Sequence, residues 1–140
     1  MELNEALAFI TDRHQGVLTT IRANGRPQLS NIIYAAGGDG LLRISVTETR
    51  AKTKNLRRDP RASLYVPGDT FWSYVVVEAA VDLSPVTTEP GDATAEELVA
   101  LYRQVQGEHP DWEEYRRAMI DQGRLVARLR PERAYGMLGG

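Results

Sequence analysis

The residues best suited to chemistry lie in one short basic segment, TETRAKTKNLRRDPRA, at positions 47–62. Six of the 17 Lys and Arg residues fall between Arg50 and Arg61, and the only acid among them is Asp59. The whole chain has a formal net charge of -2. Because positive charge is concentrated locally in a slightly acidic protein, we expect this segment to bind an anion.

A helix is predicted from Arg50 to about Arg58, because Thr49 can cap it and the following Asp-Pro pair ends it. Arg50, Ala51 and Lys52 then form the first turn, whose backbone N–H groups have no intrahelical partners. Cations at the positive end of a helix dipole are unfavourable by about 0.3–1 kcal/mol each. The pattern therefore favours a bound phosphate, held by free N–H groups, an Arg side chain and Lys52.

Two other interpretations of the basic segment stay open. Arg57, Arg58 and Arg61 are typical of a solvated helix face on which arginines pair with nearby acids. A nucleic-acid surface usually combines basic residues with exposed aromatic ones, and positions 50–61 contain no aromatic residue. A pI near 5.7 also disfavours a general nucleic-acid binder. A small anionic ligand remains the main hypothesis.

Length and composition narrow the class of protein. A chain of 140 residues is expected to form one domain, 1–140. The absence of cysteine excludes disulfides, thiolate metal sites and a Cys nucleophile, and fits a reducing compartment. The two histidines lie far apart in sequence, so no metal site is expected. The N-terminal stretch has neither the pattern of a signal peptide nor that of a membrane span, and the expected location is the cytoplasm.

The elements that must position the basic segment are mainly strands. Asn24-Gly25 predicts a tight hairpin turn with two positive-φ residues, between strands in 16–23 and 26–36. Residues 41–47 alternate apolar and polar side chains, and 62–68, 71–84 and 124–131 are the other predicted strands. Short turns between successive strands indicate antiparallel pairing.

Four helices are predicted around these strands. One lies near the N-terminus, one is the basic helix, and two lie between 94 and 122. Thr94 and Glu97 form a capping box for the third helix, and Gly107 ends it. Tyr102, Tyr115 and Met119 follow the spacing of residues that pack inward. The expected fold class is mainly β, a six-stranded antiparallel barrel with flanking helices.

Three blocks in order, GVLTTIRANGRPQLSNI, RAKTKNLRRDPRAS and FWSYVVVEA, resemble the pyridoxamine 5'-phosphate oxidase-like split β-barrel superfamily. The segment GEHPDWEEYRRAM is similar to the branch of F420-dependent (deazaflavin) oxidoreductases. The resemblance covers about the whole chain. It implies an FMN-binding type of split barrel and a homodimer with cofactor sites at the subunit interface. The implied cofactor is coenzyme F420, with FMN as the alternative.

The resemblance also implies a set of cofactor-binding residues. A strand-to-helix turn holds the phosphate, two strands contact the ring and the ribityl chain, and a Trp reaches the site from the partner subunit. The matching positions here are Gln28, Ser30, Asn31, Ser45, Val46, Arg50, Ala51, Lys52, Thr53 and Trp72. An interpretation of Trp72 as a core or interface residue is equally open. Gln28 and Ser30 point away from Asn31 in a regular strand.

The activity implied by the resemblance is hydride transfer between the reduced deazaflavin and an unsaturated or oxidised small organic substrate. The catalytic residues are not identified, and Tyr34, Tyr74 and solvent are the candidate proton donors. The substrate-binding C-terminal segment of true pyridoxamine phosphate oxidases has no match, so that substrate is not expected. An FMN-dependent oxidoreductase, a non-catalytic F420 or flavin carrier and a nucleic-acid module remain alternatives.

Overall fold

The computed structural model describes residues 1–139. The strands are β1 (Gln15–Ile21), β2 (Pro27–Ile33), β3 (Ala35–Ala36), β4 (Leu42–Thr47), β5 (Arg61–Pro67), β6 (Tyr74–Leu83) and β7 (Arg124–Met137). The helices are α1 (Leu3–Ile10), α2 (Ala51–Arg58), α3 (Ala93–Gln106) and α4 (Trp112–Asp121). Over the part of the chain described, no helix combines the length and the apolar character needed to cross a membrane.

The strands form one antiparallel sheet in the order β2-β1-β5-β6-β7-β4-β3. The sheet curls into a half-barrel because alternating side chains on its inner face pack together. In β4, for example, Leu42, Ile44 and Val46 are buried and the residues between them face outward. Helix α1 contributes the fully buried Ala6 and Ile10 to the same core. The mainly β class predicted from the sequence is confirmed.

Helices α3 and α4 cover part of the outer face of the sheet. Val126 of β7 points away from the main core and packs with Leu98, Val99, Tyr115 and Met119. This part of β7 is therefore buried on both faces. The arrangement places the helix pair directly beside β4 and β7, whose residues pair from Leu42–Leu129 to Thr47–Arg124.

The predicted number of six strands is wrong by one. The run predicted as a single strand up to Ala36 is broken at Tyr34, which is fully buried. Its hydroxyl donates to the Ile10 carbonyl (2.6 Å), and its backbone N–H donates to the His14 carbonyl (2.8 Å). Beyond this anchor the chain leaves β1, and the two residues of β3 pair with β4 instead.

The hairpin turn and two helix caps also differ from the predictions. Within the Asn24-Gly25 turn, only Gly25 has a positive φ (85°). Arg22 N–H donates to Arg26 O (2.9 Å), so the connection between the strands is longer than a two-residue turn. Arg50, rather than Thr49, occupies the N-cap of α2 and makes no side-chain capping bond. Helix α3 is capped by Asp92, whose carboxylate accepts a hydrogen bond from the Ala95 N–H (2.8 Å).

The Thr94 hydroxyl donates instead to the Pro85 carbonyl at 2.9 Å, so the predicted capping box does not form. The sequence pattern could not separate the two possible caps, because Asp92 and Thr94 are both residues that favour this position.

Candidate functional site

A cleft of about 840 Å³ lies where the curled sheet does not close, between β2 near one edge and β4 near the other. Its walls come from the start of β1, the end of β2, the middle of β4, the first turn of α2, the end of β5, the start of β7 and the α3–α4 pair. The volume falls within the range usual for sites that bind small molecules and cofactors.

Three of the ten predicted cofactor-binding residues line this cleft: Asn31, Ser45 and Lys52. Asn31 lies opposite Val17 in the β1–β2 register, so both point to the outer face of the sheet. Ser45 occupies the outward position of β4 between two buried residues. The fold thus brings together residues from two strands and a helix, and their contact with a cofactor stays a prediction.

The N-terminus of α2 presents free backbone donors beside the cleft. Arg50 is the extended N-cap residue (φ -72°, ψ 151°), and the first turn contains no acid. The first intrahelical bond is donated by Lys54 N–H to Arg50 O (3.2 Å). The N–H groups of Ala51, Lys52 and Thr53 therefore precede the helical ladder. Such groups can bind an anion.

The Thr53 hydroxyl holds this turn in place and does not face the cleft. It is buried and donates to the Thr47 carbonyl at 2.7 Å. The contact joins the first turn of α2 to the end of β4. Thr53 can therefore contribute its backbone N–H to a ligand, while its side chain positions the helix.

No acidic partner among residues 1–139 is present for three cations around this turn, Arg50, Lys52 and Arg124, or for the exposed Lys54 farther along α2. Lys52 and Arg124 both line the cleft. Burial lowers the pKa of the Lys52 ammonium, and the nearby Arg50 and Arg124 lower it further. The protein therefore gathers positive charge here without compensating it.

Arg124 is a site residue that the sequence analysis missed. Its one side-chain hydrogen bond in the described chain is donated by Nε to Gln122 Oε1 at 3.0 Å. Arg124 lies opposite Thr47 in the β4–β7 register, which brings it close to the start of α2. The sequence shows only an arginine at the outward position of an alternating strand, and nothing in the pattern identifies its neighbour.

Gln28, Ser30 and Val46 do not direct their side chains into the cleft. Neither Gln28 nor Ser30 lines the cleft, and Gln28 Oε1 accepts a hydrogen bond from Asn55 Nδ2 (3.0 Å). Val46 is fully buried in the main core. Any contact of Val46 with a cofactor would have to use its backbone.

Trp72 lies in the loop between β5 and β6 and is 67% exposed, so the interpretation as a core residue is wrong. Its ring meets the 83% exposed Phe71 edge to face, with 4.8 Å between centroids. Trp72 is not part of the cleft of its own chain. The interpretations as an interface residue and as a contributor to a partner's site remain.

Neither predicted proton donor lies in the cleft. Tyr34 is fully buried, its hydroxyl donates to the main chain, and burial raises its pKa far above the usual value. Tyr74 stacks on Tyr65 outside the cleft, with 5.6 Å between ring centroids. The tyrosines that line the cleft are Tyr102 and Tyr115. The sequence analysis assigned both to helix packing because core residues have the same spacing.

The outer arginines of the basic segment only partly follow the solvated-face interpretation. Arg57 pairs with Glu48 (2.7 Å), and Arg61 pairs with Asp59 (2.8 Å). Arg58 differs, because its Nη2 donates to Asn55 Oδ1 (2.9 Å) and to the Ile21 carbonyl (3.1 Å). Arg58 therefore joins α2 to the end of β1, and is not a purely solvated residue.

Glu97 fixes the helix pair against the sheet. Its carboxylate accepts hydrogen bonds from Arg43 Nε (2.8 Å) and from Arg128 Nη2 (2.6 Å) and Nε (2.8 Å). Hydrogen bonding by Arg128, opposed by partial burial and assisted by Arg43, lowers the pKa of Glu97. The contact links α3 to both β4 and β7, and so positions the helical wall of the cleft.

Comparison with known proteins identifies a family model and several solved structures that are similar to this chain. The family model described as pyridoxamine 5'-phosphate oxidase matches residues 3–138. A solved structure described as an F420 reductase is 24% identical, with a TM-score of 0.65 over 92% of this chain and 94% of that one.

Two further solved structures share the fold. A conserved hypothetical protein from Mycobacterium tuberculosis is 24% identical, with a TM-score of 0.72 over 100% of this chain and 93% of that one. HutZ, the heme storage protein from Vibrio cholerae, is 18% identical, with a TM-score of 0.68 over 97% of this chain and 95% of that one.

Proposed function

Because this chain belongs to the pyridoxamine 5'-phosphate oxidase family, we propose that it is an F420-dependent oxidoreductase. It transfers a hydride between the reduced deazaflavin and an unsaturated or oxidised small organic substrate. The observation that carries the proposal is the group of cations without acidic partners, Arg50, Lys52 and Arg124, beside the free N–H groups of α2. The likeness to an F420 reductase favours F420 over FMN.

The residues at the start of α2 fit a cofactor phosphate. The N–H groups of Ala51, Lys52 and Thr53 supply aligned donors, and the three cations supply charge. Without an anion, the helix dipole disfavours cations at this end, so a phosphate would relieve an existing electrostatic cost. Charge-assisted hydrogen bonds to phosphate are shorter and stronger than neutral ones.

The remaining cleft residues bind and orient the ring. When bound, the cofactor supplies the hydride, and the chain supplies orientation and a site from which water is excluded. Ser45 and Asn31 offer polar side chains on two different strands, and Lys52 can stabilise negative charge that develops on the ring. The cytoplasmic location inferred from the sequence stays a prediction.

We also propose a homodimer, because the outer face of the sheet and the β5–β6 loop expose apolar side chains. These form an outer-face patch of Tyr65, Phe71, Trp72, Tyr135 and Met137. Tyr65 and Tyr135 both lie opposite Val76, on neighbouring strands. Exposed apolar surface of this kind often marks a protein interface. Tyr65 also lies opposite Val17, which lines the cleft, so the patch is continuous with the cleft. A partner covering the patch would bring its Trp72 near the site.

The test of the proposed function is a fluorescence titration of the protein with F420 and with FMN. Lys52→Ala is expected to weaken F420 binding by about 1.5–3 kcal/mol, the contribution of a hydrogen bond to a charged group. Lys54→Ala is the matched control, since Lys54 is the only other lysine, lies on the same helix and is exposed. Its F420 affinity should stay unchanged.

Other outcomes would point to other functions. Binding of neither F420 nor FMN would remove the oxidoreductase proposal, and equal losses in both lysine variants would place the phosphate elsewhere. Tight F420 binding without hydride transfer to enones, quinones or tetrapyrroles would indicate a carrier. Haemin belongs in the same titration because HutZ stores heme, and steeply salt-dependent binding of DNA or RNA would indicate a nucleic-acid module.

A further inference from the structure

A row of polar side chains crosses the outer face of the sheet beside the outer-face patch. Its members lie opposite one another on β1, β5, β6 and β7: Thr19, Ser63, Glu78 and Arg133. Each lies two positions from a member of a parallel, mostly apolar row: Val17, Tyr65, Val76 and Tyr135. Side chains two positions apart point to the same face of a sheet, so the two rows share one surface. A partner that covers Tyr65 and Tyr135 therefore also reaches the polar row.

The two charges of the polar row form an ion pair that does not close. Glu78 Oε1 lies 3.8 Å from Arg133 Nε, and the two side chains are 44% and 79% exposed. The other nine ion pairs of residues 1–139 have N–O distances of 2.6–3.2 Å. Within the described chain, neither Glu78 nor Arg133 makes a side-chain hydrogen bond. Most of the hydrogen-bonding capacity of both groups is thus unused.

A groove of about 530 Å³ at this row gives a second molecule access to both charges. Its charged lining residues are two arginines and two glutamates: Arg61, Arg133, Glu78 and Glu132. With equal numbers of both signs, the groove favours neither a simple anion nor a simple cation. It is complementary to a surface that presents the same charges in exchanged positions. A second copy of the chain, related by a twofold axis, presents such a surface.

We propose that Glu78 and Arg133 form reciprocal ion pairs across the subunit interface, with the carboxylate of each chain meeting the guanidinium of the other. In a twofold interface the contact from Glu78 to the partner's Arg133 occurs twice. Covering the apolar row removes water from both charges, and an unpaired charge in an interface is costly. The inference rests on the proposed homodimer and is independent of which cofactor the protein binds.

The experiment uses two charge-reversal variants, Glu78→Arg and Arg133→Glu, alone and mixed in equal amounts. Each variant alone places like charges across the interface, so its dimer dissociation constant should rise at least about tenfold. In the mixture, opposite charges meet at both pairs, and a heterodimer should form about as tightly as the wild-type dimer. Analytical ultracentrifugation measures the dissociation constants. Native mass spectrometry identifies the heterodimer, because its two chains differ in mass.

The mixture separates a contact between chains from one within a chain. If Glu78 and Arg133 pair only within their own chain, each variant keeps two like charges there, and mixing restores nothing. Glu113→Arg and Arg117→Glu are the matched controls, because they reverse the same charges at exposed positions of α4 outside the cleft and the groove. Both should dimerise as the wild type does, and their mixture should show no preference for the heterodimer.

Three results would overturn the inference. Wild-type dissociation constants for both single variants would place the pair outside the interface. Variants that remain monomeric when mixed would show that Glu78 and Arg133 do not meet across it. A monomeric wild-type protein would remove the proposed homodimer as well, whereas the F420 titration tests the cofactor separately.

Circular dichroism checks that each variant folds. Glu78→Gln and Arg133→Gln replace a reversal variant that does not fold, because they remove a charge and introduce no repulsion. Each should still weaken the dimer, since it leaves the partner's charge without its counterion. An unchanged dimer in both would equally contradict the reciprocal pairs.

Discussion

Lys52 lies where its own charge is disfavoured. Burial and the neighbouring Arg50 and Arg124 lower its pKa from the usual value of 10.5. Between the lowered value and 10.5, the unfolded chain binds more protons than the folded one, so this residue makes stability rise with pH in that window. Below the window, the charged Lys52 lowers the stability of the ligand-free protein. A bound anion would reverse this effect.

Removing this charge should therefore stabilise the ligand-free protein while weakening cofactor binding. We expect Lys52→Met to raise the free energy of unfolding by about 0.3–1 kcal/mol, because a cation leaves the positive end of the α2 dipole. Urea denaturation at pH 7 measures the change, with Lys54→Met as the control. A fall in the free energy of unfolding for Lys52→Met would show that the ammonium is already stabilised within the chain.

The sequence could predict some site residues and not others. Lys52 stood out because a cation in the first turn of a helix conflicts with the dipole. Arg124 did not, since its importance depends on the pairing of β4 with β7. Tyr102 was assigned to the core because it lies four positions after Leu98, the spacing of any inward-facing helix pair. Position in the folded sheet, and not residue type, distinguishes these residues.

At the scale of the element, α2 is held to the β1–β2 hairpin by a buried polar contact. Asn55 Nδ2 donates to Thr20 Oγ1 (3.1 Å) and to Gln28 Oε1 (3.0 Å). Asn55 Oδ1 accepts from Arg58. Thr20 is fully buried, and Asn55 is 6% exposed. This contact sets the position of the helix that carries Lys52, although none of its members lines the cleft.

We expect Asn55→Ala to lower the free energy of unfolding by about 1–3 kcal/mol, because it leaves buried polar groups without partners. F420 affinity of the folded variant should also fall, since α2 loses its attachment to the hairpin. Arg57→Ala is the control, because its exposed pair with Glu48 should contribute only about 0–1 kcal/mol. Urea denaturation and F420 titration provide the two measurements. Unchanged F420 affinity in folded Asn55→Ala would limit Asn55 to a structural role.

The types of most elements followed from the sequence, whereas their ends and partners often did not. The alternation of apolar and polar residues correctly predicted β4. The Asp59-Pro60 pair correctly predicted where α2 ends. The division between β2 and β3 was missed because it depends on Tyr34, whose hydroxyl reaches a carbonyl of α1. Such a contact joins distant parts of the chain and leaves no local pattern.

At the scale of the whole molecule, the outer-face patch should control assembly. Tyr135→Glu places a charge within a surface that is otherwise aromatic and apolar, and burying that charge in an interface would be costly. We expect this variant to be monomeric and to bind F420 more weakly. Ala100→Glu, on an exposed position of α3 outside the cleft, is the control. Size-exclusion chromatography with light scattering gives the mass, and an unchanged dimer in Tyr135→Glu would move the interface elsewhere.

The pairing of β4 with β7 has a consequence for how the molecule reaches its functional state. Leu42 lies opposite Leu129, so this pairing closes a loop that contains most of the chain. Contacts of such high sequence separation form slowly, because the entropy of loop closure is lost before the contacts stabilise the product. Ser45, Lys52 and Arg124 meet only after this step. Cofactor capture should therefore be a late event of folding, and no partly folded intermediate should compete with the native protein for the cofactor.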